Sequence, residues 1–150
     1  MRILLSAACL FAVATVALAD GARGVVTDEL TKKECSACHM AYPPGFLPAR
    51  SWEALTGNLK DHFGEDASLA ADATTAIRDY LVANAADASG KMRGFPRGIP
   101  ADQTPLRITE LPRFKGEHGR FSDATMKKVG SLSNCVACHQ GAENRYFEDD

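Results

Sequence analysis

A mainly α fold, made of short helices joined by extended proline- and glycine-rich loops, is what this chain predicts. Three observations carry that expectation. Strand-like alternation of apolar and polar residues is scarce. Glycine and proline are frequent, 12 and 7 in 150 residues. And the five-residue pattern Cys-x-x-Cys-His occurs twice, as Cys35-Ser36-Ala37-Cys38-His39 and Cys135-Val136-Ala137-Cys138-His139.

The repeated motif names its own chemistry. Thiols at i and i+3 share one face of a helical turn. Both can form thioethers to one porphyrin, and the histidine at i+4 then lies beneath the ring as the proximal iron ligand. Cys35, Cys38, Cys135 and Cys138 are therefore expected to hold two covalently bound c-type haems, with His39 and His139 as proximal ligands. Zinc sites also use paired cysteines, but usually closer together and with no need of a histidine after each pair. A redox dithiol needs a βαβ setting that is missing here. Two disulfides would leave both histidines unexplained. The short helices and loops are thus expected to wrap around the haems.

The ends and the composition bound the setting. Residues 1–19 read as a cleaved signal peptide. Arg2 is the positive region, Ile3 to Leu18 is mostly apolar, and Ala17-Leu18-Ala19 is the cleavage site. The apolar run is too short for a membrane span, and Cys9 lies too early in it to be a lipid-bearing cysteine. A periplasmic protein, not integral to the membrane, is expected. Cleavage leaves four cysteines, all in the two motifs. The formal charge of −2 becomes −3 with the loss of Arg2, which excludes a nucleic-acid-binding balance. The mature chain divides into an N-terminal haem domain, 20–88, and a C-terminal one, 89–150, with a covering segment.

Along the chain, Thr27 is expected to cap a first helix, with acids in its first turn and Lys32 and Lys33 leading to the first motif. Tyr42-Pro43-Pro44-Gly45-Phe46-Leu47-Pro48 forbids a regular helix and forms an apolar loop. Ser51 is expected to cap a helix whose face carries Trp52, Leu55, Leu59 and His62, with Gly64 as its stop. Asp66 or Ser68 starts another, with Leu69, Ala73, Ala76, Ile77, Tyr80, Leu81 and Asn84 on its inner face. Residues 89–118 are broken by repeated glycine and proline, yet hold Phe95, Ile99, Leu106, Ile108, Leu111 and Phe114. They are expected to pack on haem, with His118 in a closing loop. Ser122 caps a helix ended by Gly130, and Ser133 or Asn134 caps the second motif. The acidic tail is expected to fray.

The chain has four histidines. With His39 and His139 proximal, His62 and His118 remain as distal ligands for two irons, giving bis-histidine coordination of both. Met92 and Met126 are the competing ligands. The simplest assignment is local, His62 with the first haem and His118 with the second; a swapped one stays open. Six-coordinate irons leave no position for a substrate, so an electron carrier is expected and not an enzyme. Glu65, Asp66, Glu117 or a backbone carbonyl would orient the imidazoles.

The stretches Cys38-His39-Met40-Ala41-Tyr42-Pro43-Pro44, Leu47-Pro48-Ala49-Arg50-Ser51-Trp52, His62-Phe63-Gly64-Glu65-Asp66-Ala67 and Arg107-Ile108-Thr109-Glu110-Leu111-Pro112, followed by His118 and the second motif, resemble the bacterial dihaem cytochrome c family. The resemblance covers most of residues 30–142. It implies a low-potential electron carrier, with His62 and His118 in the distal roles. It also implies redox partners: a small oxygen-binding c-type haem protein as acceptor and a membrane b-type cytochrome as donor. The alternatives are the dihaem subunit of periplasmic nitrate reductase, which shares the chemistry, and a haem enzyme with one open iron site.

Overall fold

A computed structural model describes residues 24–147. The signal-peptide reading of residues 1–19 and the last three tail residues lie outside them. Within the described residues the chain is mainly helical, with no strand. The helices are α1 (Glu29–Cys35), α2 (Ala49–Gly57), α3 (Ala71–Ala83), α4 (Pro112–His118) and α5 (Asp123–Val129). Single 3₁₀ turns fill parts of the loops, including Cys135–Ala137 in the second motif.

α1 is capped by Asp28 and not by Thr27. The Asp28 carboxylate accepts from the Thr31 N–H at 2.7 Å, and a charged acceptor suits the positive end of a helix. Thr27 instead donates its N–H to the Tyr80 hydroxyl at 2.9 Å, tying the start of α1 to α3. Hydrogen bonding from Thr31 holds Asp28 below the ordinary carboxylate value of 3.8. A depressed folded-state pKa means stability that is present above the unfolded value and lost as pH falls through the folded one. Asp28→Ala is therefore expected to cost about 1 kcal/mol near pH 7. The gap from the parent should narrow in thermal melts as the pH is taken below the ordinary carboxylate value of 3.8.

α2 begins earlier than Ser51, which lies fully buried inside it. Its first N–H groups find a partner from far along the chain: the Asp87 carboxylate accepts from Ala49 N–H at 2.8 Å. Pro48 needs no donor and suits the entry. The expected stripe from Trp52 to His62 is not one helix. α2 stops at Gly57, Asn58 leaves helical geometry, and Leu59–Asp61 is a 3₁₀ turn. His62 follows in a tight reversal. Its N–H donates to Glu65 O at 2.8 Å, and Phe63 and Gly64 have φ of +60° and +99°. Gly57 and Asn58 are poor helix formers, so periodicity alone could not carry the helix through them.

α3 starts at Ala71, later than expected. Asp66 turns back on the Ser68 N–H at 2.9 Å, and Ala67 N–H is held by Leu59 O at 2.9 Å. Residues 66–70 are thereby spent on the loop that follows His62. α2 and α1 both pack on α3. The core holds Leu47, Trp52, Ile77, Leu81 and Ala85 together with Leu111 and Phe114 from the covering segment. The Trp52 indole donates to Pro44 O at 2.7 Å, fixing the proline loop on this core.

The apolar side chains of residues 89–118 go mainly to this protein core: Leu111 and Phe114 are buried in it, and Phe95, Ile99 and Ile108 pack against it. Arg50 fastens the segment from outside, donating to Gln103 O at 2.6 Å and Pro100 O at 3.0 Å. His118 is not in a loop but is the last residue of α4. That helix starts at Pro112 and stops at Gly119, where φ is +61°. α5 is as expected, with the Ser122 hydroxyl accepting from Thr125 N–H and Gly130 as its stop. Asn134 does not cap the second motif. Its side chain reaches back to Val129 O at 3.0 Å, so α5 and the motif are joined.

Candidate haem-binding site

Each Cys-x-x-Cys-His motif closes a helical turn. His39 N–H donates to Cys35 O at 3.4 Å and His139 N–H to Cys135 O at 2.8 Å. The first motif grows from the end of α1, and the second from the short link after α5. Cys35 and Cys135 are half-buried and Cys38 and Cys138 exposed. Before haem attachment, burial is the main cause that raises the pKa of the Cys35 thiol, with Glu34 adding to it; burial likewise raises that of Cys135. Among the described residues no group of three or more His, Cys, Asp or Glu side chains is placed to hold a metal ion by itself.

The four histidines come together as two pairs. The His39 and His62 rings lie 6.1 Å apart, centre to centre, with planes 21° from parallel. The His118 and His139 rings lie 5.9 Å apart, with planes at 89°. Two imidazoles that bind one metal from opposite sides, each at about 2 Å, have ring centres about 6 Å apart. Both separations fit an iron between the rings. The pairs are the local ones.

Backbone carbonyls aim two of these rings. His39 Nδ1 is 2.7 Å from Met40 O, and His118 Nδ1 is 3.0 Å from Phe114 O. A carbonyl only accepts, so Nδ1 carries the hydrogen and Nε2 keeps the lone pair a metal needs. The Phe114 carbonyl belongs to the turn of α4 before His118, so the helix itself sets the ring. The carboxylates considered from sequence act elsewhere: Glu117 pairs with Arg113 at 2.6 Å and Asp66 with Ser68 N–H.

Aromatic rings hold the imidazoles from the sides. Tyr42 stacks on His39 at 4.9 Å, and Phe63 meets His62 edge-on at 4.9 Å. Phe114 stacks on His118 at 4.0 Å, and Phe147 meets His139 at 5.6 Å. Burial lowers the pKa of His62, helped by His39 and Arg107, which favours the neutral, ligand-competent ring.

Tyr42 is a site residue to which sequence reasoning gave no role of its own, placing it in an apolar loop and in a stretch that resembles the family. Its ring lies on His39, and its hydroxyl donates to Ser133 O at 2.6 Å, two residues before Cys135. Burial is the main cause that pushes its pKa up to about 12, so it remains a neutral phenol. A cavity of about 340 Å³ opens beside it, between Cys38, His39 and Met40 on one wall and Asn134, Cys135 and Val136 on the other. The two motifs therefore face each other. The available signal was an aromatic three residues past the motif's histidine; its distant partner was not legible.

A mainly helical chain with two Cys-x-x-Cys-His turns, each facing a second imidazole across the width of one iron site, is by class a c-type cytochrome. A family model described as dihaem cytochrome c matches residues 31–147. The chain belongs to the dihaem cytochrome c family and carries two covalently bound c-type haems. It is similar to a solved dihaem cytochrome c from Rhodobacter sphaeroides. The identity is 57%, the TM-score 0.75, and the match covers 81% of this chain and 98% of that one. It is also similar to a dihaem cytochrome type c from Shewanella baltica. There the identity is 37% and the TM-score 0.64, with 80% and 86% covered. No curated protein matches significantly. Family membership is consistent with electron transfer, and no helix among the described residues is long and apolar enough to cross a membrane.

Proposed function

We propose that this protein is a periplasmic electron carrier whose two haems are both six-coordinate with histidine on each side. Cys35 and Cys38 hold one haem, with His39 proximal and His62 distal. Cys135 and Cys138 hold the other, with His139 proximal and His118 distal. When bound, the irons supply one-electron exchange between ferric and ferrous states. The chain's own part is to fill every axial position and exclude other ligands.

The observation that carries this reading is the pair of imidazole separations, 6.1 and 5.9 Å. Each leaves room for a metal and none for a further ligand on the axis. The aromatic side walls keep the rings in place: Phe63, Phe114 and Phe147 add no proton donor or acceptor, and the Tyr42 hydroxyl is spent on Ser133 O. No general acid or base remains among the histidines, which supports transfer between redox proteins over transformation of a small substrate. A small oxygen-binding c-type haem protein as acceptor and a membrane b-type cytochrome as donor fit such a carrier.

Absorption spectra with a pyridine haemochrome count test the reading. Two haems per chain, both low spin when oxidised and neither binding carbon monoxide when reduced, are expected. A second signature follows from the ring planes. Nearly parallel imidazoles donate π density along one direction and split the iron orbitals, whereas perpendicular ones cancel. The 21° and 89° angles therefore predict two different low-spin electron paramagnetic resonance signals. One high-spin haem would sink the electron-carrier reading, and two identical low-spin signals would contradict the ring geometry.

A further inference from the structure

Arg107 lies behind the distal side of the first site, contributed by the covering segment. Its guanidinium carbon is 3.9 Å from the centre of the Phe63 ring. Phe63 in turn meets His62 edge-on at 4.9 Å. The backbone makes this contact unusual: Phe63 holds a φ of +60°, rare for a bulky residue. A left-handed residue persists only where its surroundings over-determine it. Asp61, which accepts from Gly64 N–H at 3.1 Å, and the paired backbone bonds between His62 and Glu65 hold the loop from within. Arg107 holds its side chain from outside, by a planar cation lying on an aromatic face. The charge is only partly offset. Glu110 lies 3.7 Å away, and both side chains are about half exposed, so the pair is loose and screened.

We propose that Arg107 is a positioning residue for His62 and an electrostatic control on its haem: it presses Phe63 into the wall beside the distal imidazole and raises that haem's reduction potential. The inference rests on the reading that His39 and His62 flank one iron. Reduction adds one electron, delivered by a redox-partner protein, and lowers the charge at that iron by one. A fixed cation nearby disfavours the more positive oxidised form and so favours the reduced one. Glu110, the carboxylate paired with that guanidinium, acts in the opposite sense. One side chain of the covering segment thus sets the first haem apart from the second without touching either axial nitrogen.

Potentiometric titration of the intact dihaem protein, followed by absorption and by electron paramagnetic resonance, tests this. His62→Met identifies the first-haem wave, because a methionine ligand raises the potential. Arg107→Gln is expected to shift the electron-sharing equilibrium about threefold away from that haem, which at 59 mV per tenfold is about 28 mV downward. Arg107→Lys, which keeps the charge, should retain most of the parent potential, and Glu110→Gln should raise it. The inference is overturned if Arg107→Gln leaves the assigned wave in place, if both waves move together, or if Arg107→Lys falls as far as Arg107→Gln. Should His62→Met move neither wave, the axial reading itself has failed, a result separate from any failure of Arg107.

Discussion

His62→Ala is expected to convert about half of the haem in the purified protein, one iron of two, from low to high spin. That haem should then bind carbon monoxide when reduced. Both haems should stay covalently attached, because the thioether positions Cys35, Cys38, Cys135 and Cys138 are untouched. His118→Ala should do the same to the other haem. The expectation follows from the paired rings: His62 is the second imidazole at 6.1 Å from His39, and His118 the second at 5.9 Å from His139. The two losses should not be equal in side effects. His62 sits in a reversal whose bonds are to its own backbone, and the loop survives truncation of the side chain. His118 ends α4, stacks on Phe114 at 4.0 Å and bonds the carbonyl of the turn before it. Its removal should loosen the end of α4 as well. If both variants keep fully low-spin, unshifted spectra, the distal assignment is wrong.

Leu111→Ala is expected to give a large loss of stability although it replaces no histidine or cysteine. Leu111 is 1% exposed and lies in the cluster with Trp52, Ile77 and Leu81. It also immediately precedes Pro112, the first residue of α4. Truncating a buried leucine costs about 2–5 kcal/mol, from lost burial and the cavity left behind. A fall in melting temperature of about 10 °C is the corresponding expectation. Because Leu111 anchors the start of the helix that ends in His118, the second haem should lose its low-spin character earlier in the melt than the first. Glu53→Ala on the exposed side of α2 is the control, with a change within about 0.5 kcal/mol. Equal melting of Leu111→Ala and the parent would show that the covering segment is not part of the core.

Much of the site was legible because its parts are close in sequence. Cysteine, cysteine and histidine at i, i+3 and i+4 need only one turn of backbone, and both turns form. The helix near Ser122 and its stop at Gly130 were equally readable, since cap and stop are both local. Errors arose where a distant group took over a local role. Ser51 is a good cap by type, but Asp87 supplies the partner for Ala49 N–H and the helix starts earlier. Thr27 yields its capping role to Asp28 and turns to Tyr80. The stripe through Trp52, Leu55 and Leu59 pointed to one helix reaching His62, but the chain leaves helical geometry at Asn58 and delivers His62 from a loop. The covering segment was rightly read as too apolar for a free linker: Leu111 and Phe114 are buried in the core, and Phe95, Ile99 and Ile108 pack against it.

The sequence by itself determined which atoms are available: four thiols in two turns, one histidine bound to each turn, and two more histidines for the remaining positions. Local covalent spacing is enough for that. Only the tertiary structure decided which imidazole faces which, at what angle, and that Tyr42 and Arg107 reach across to the opposite segments. Those choices depend on apolar faces buried together from α2, α3 and α4. That burial is a sum over distant residues, and no short window of sequence contains it.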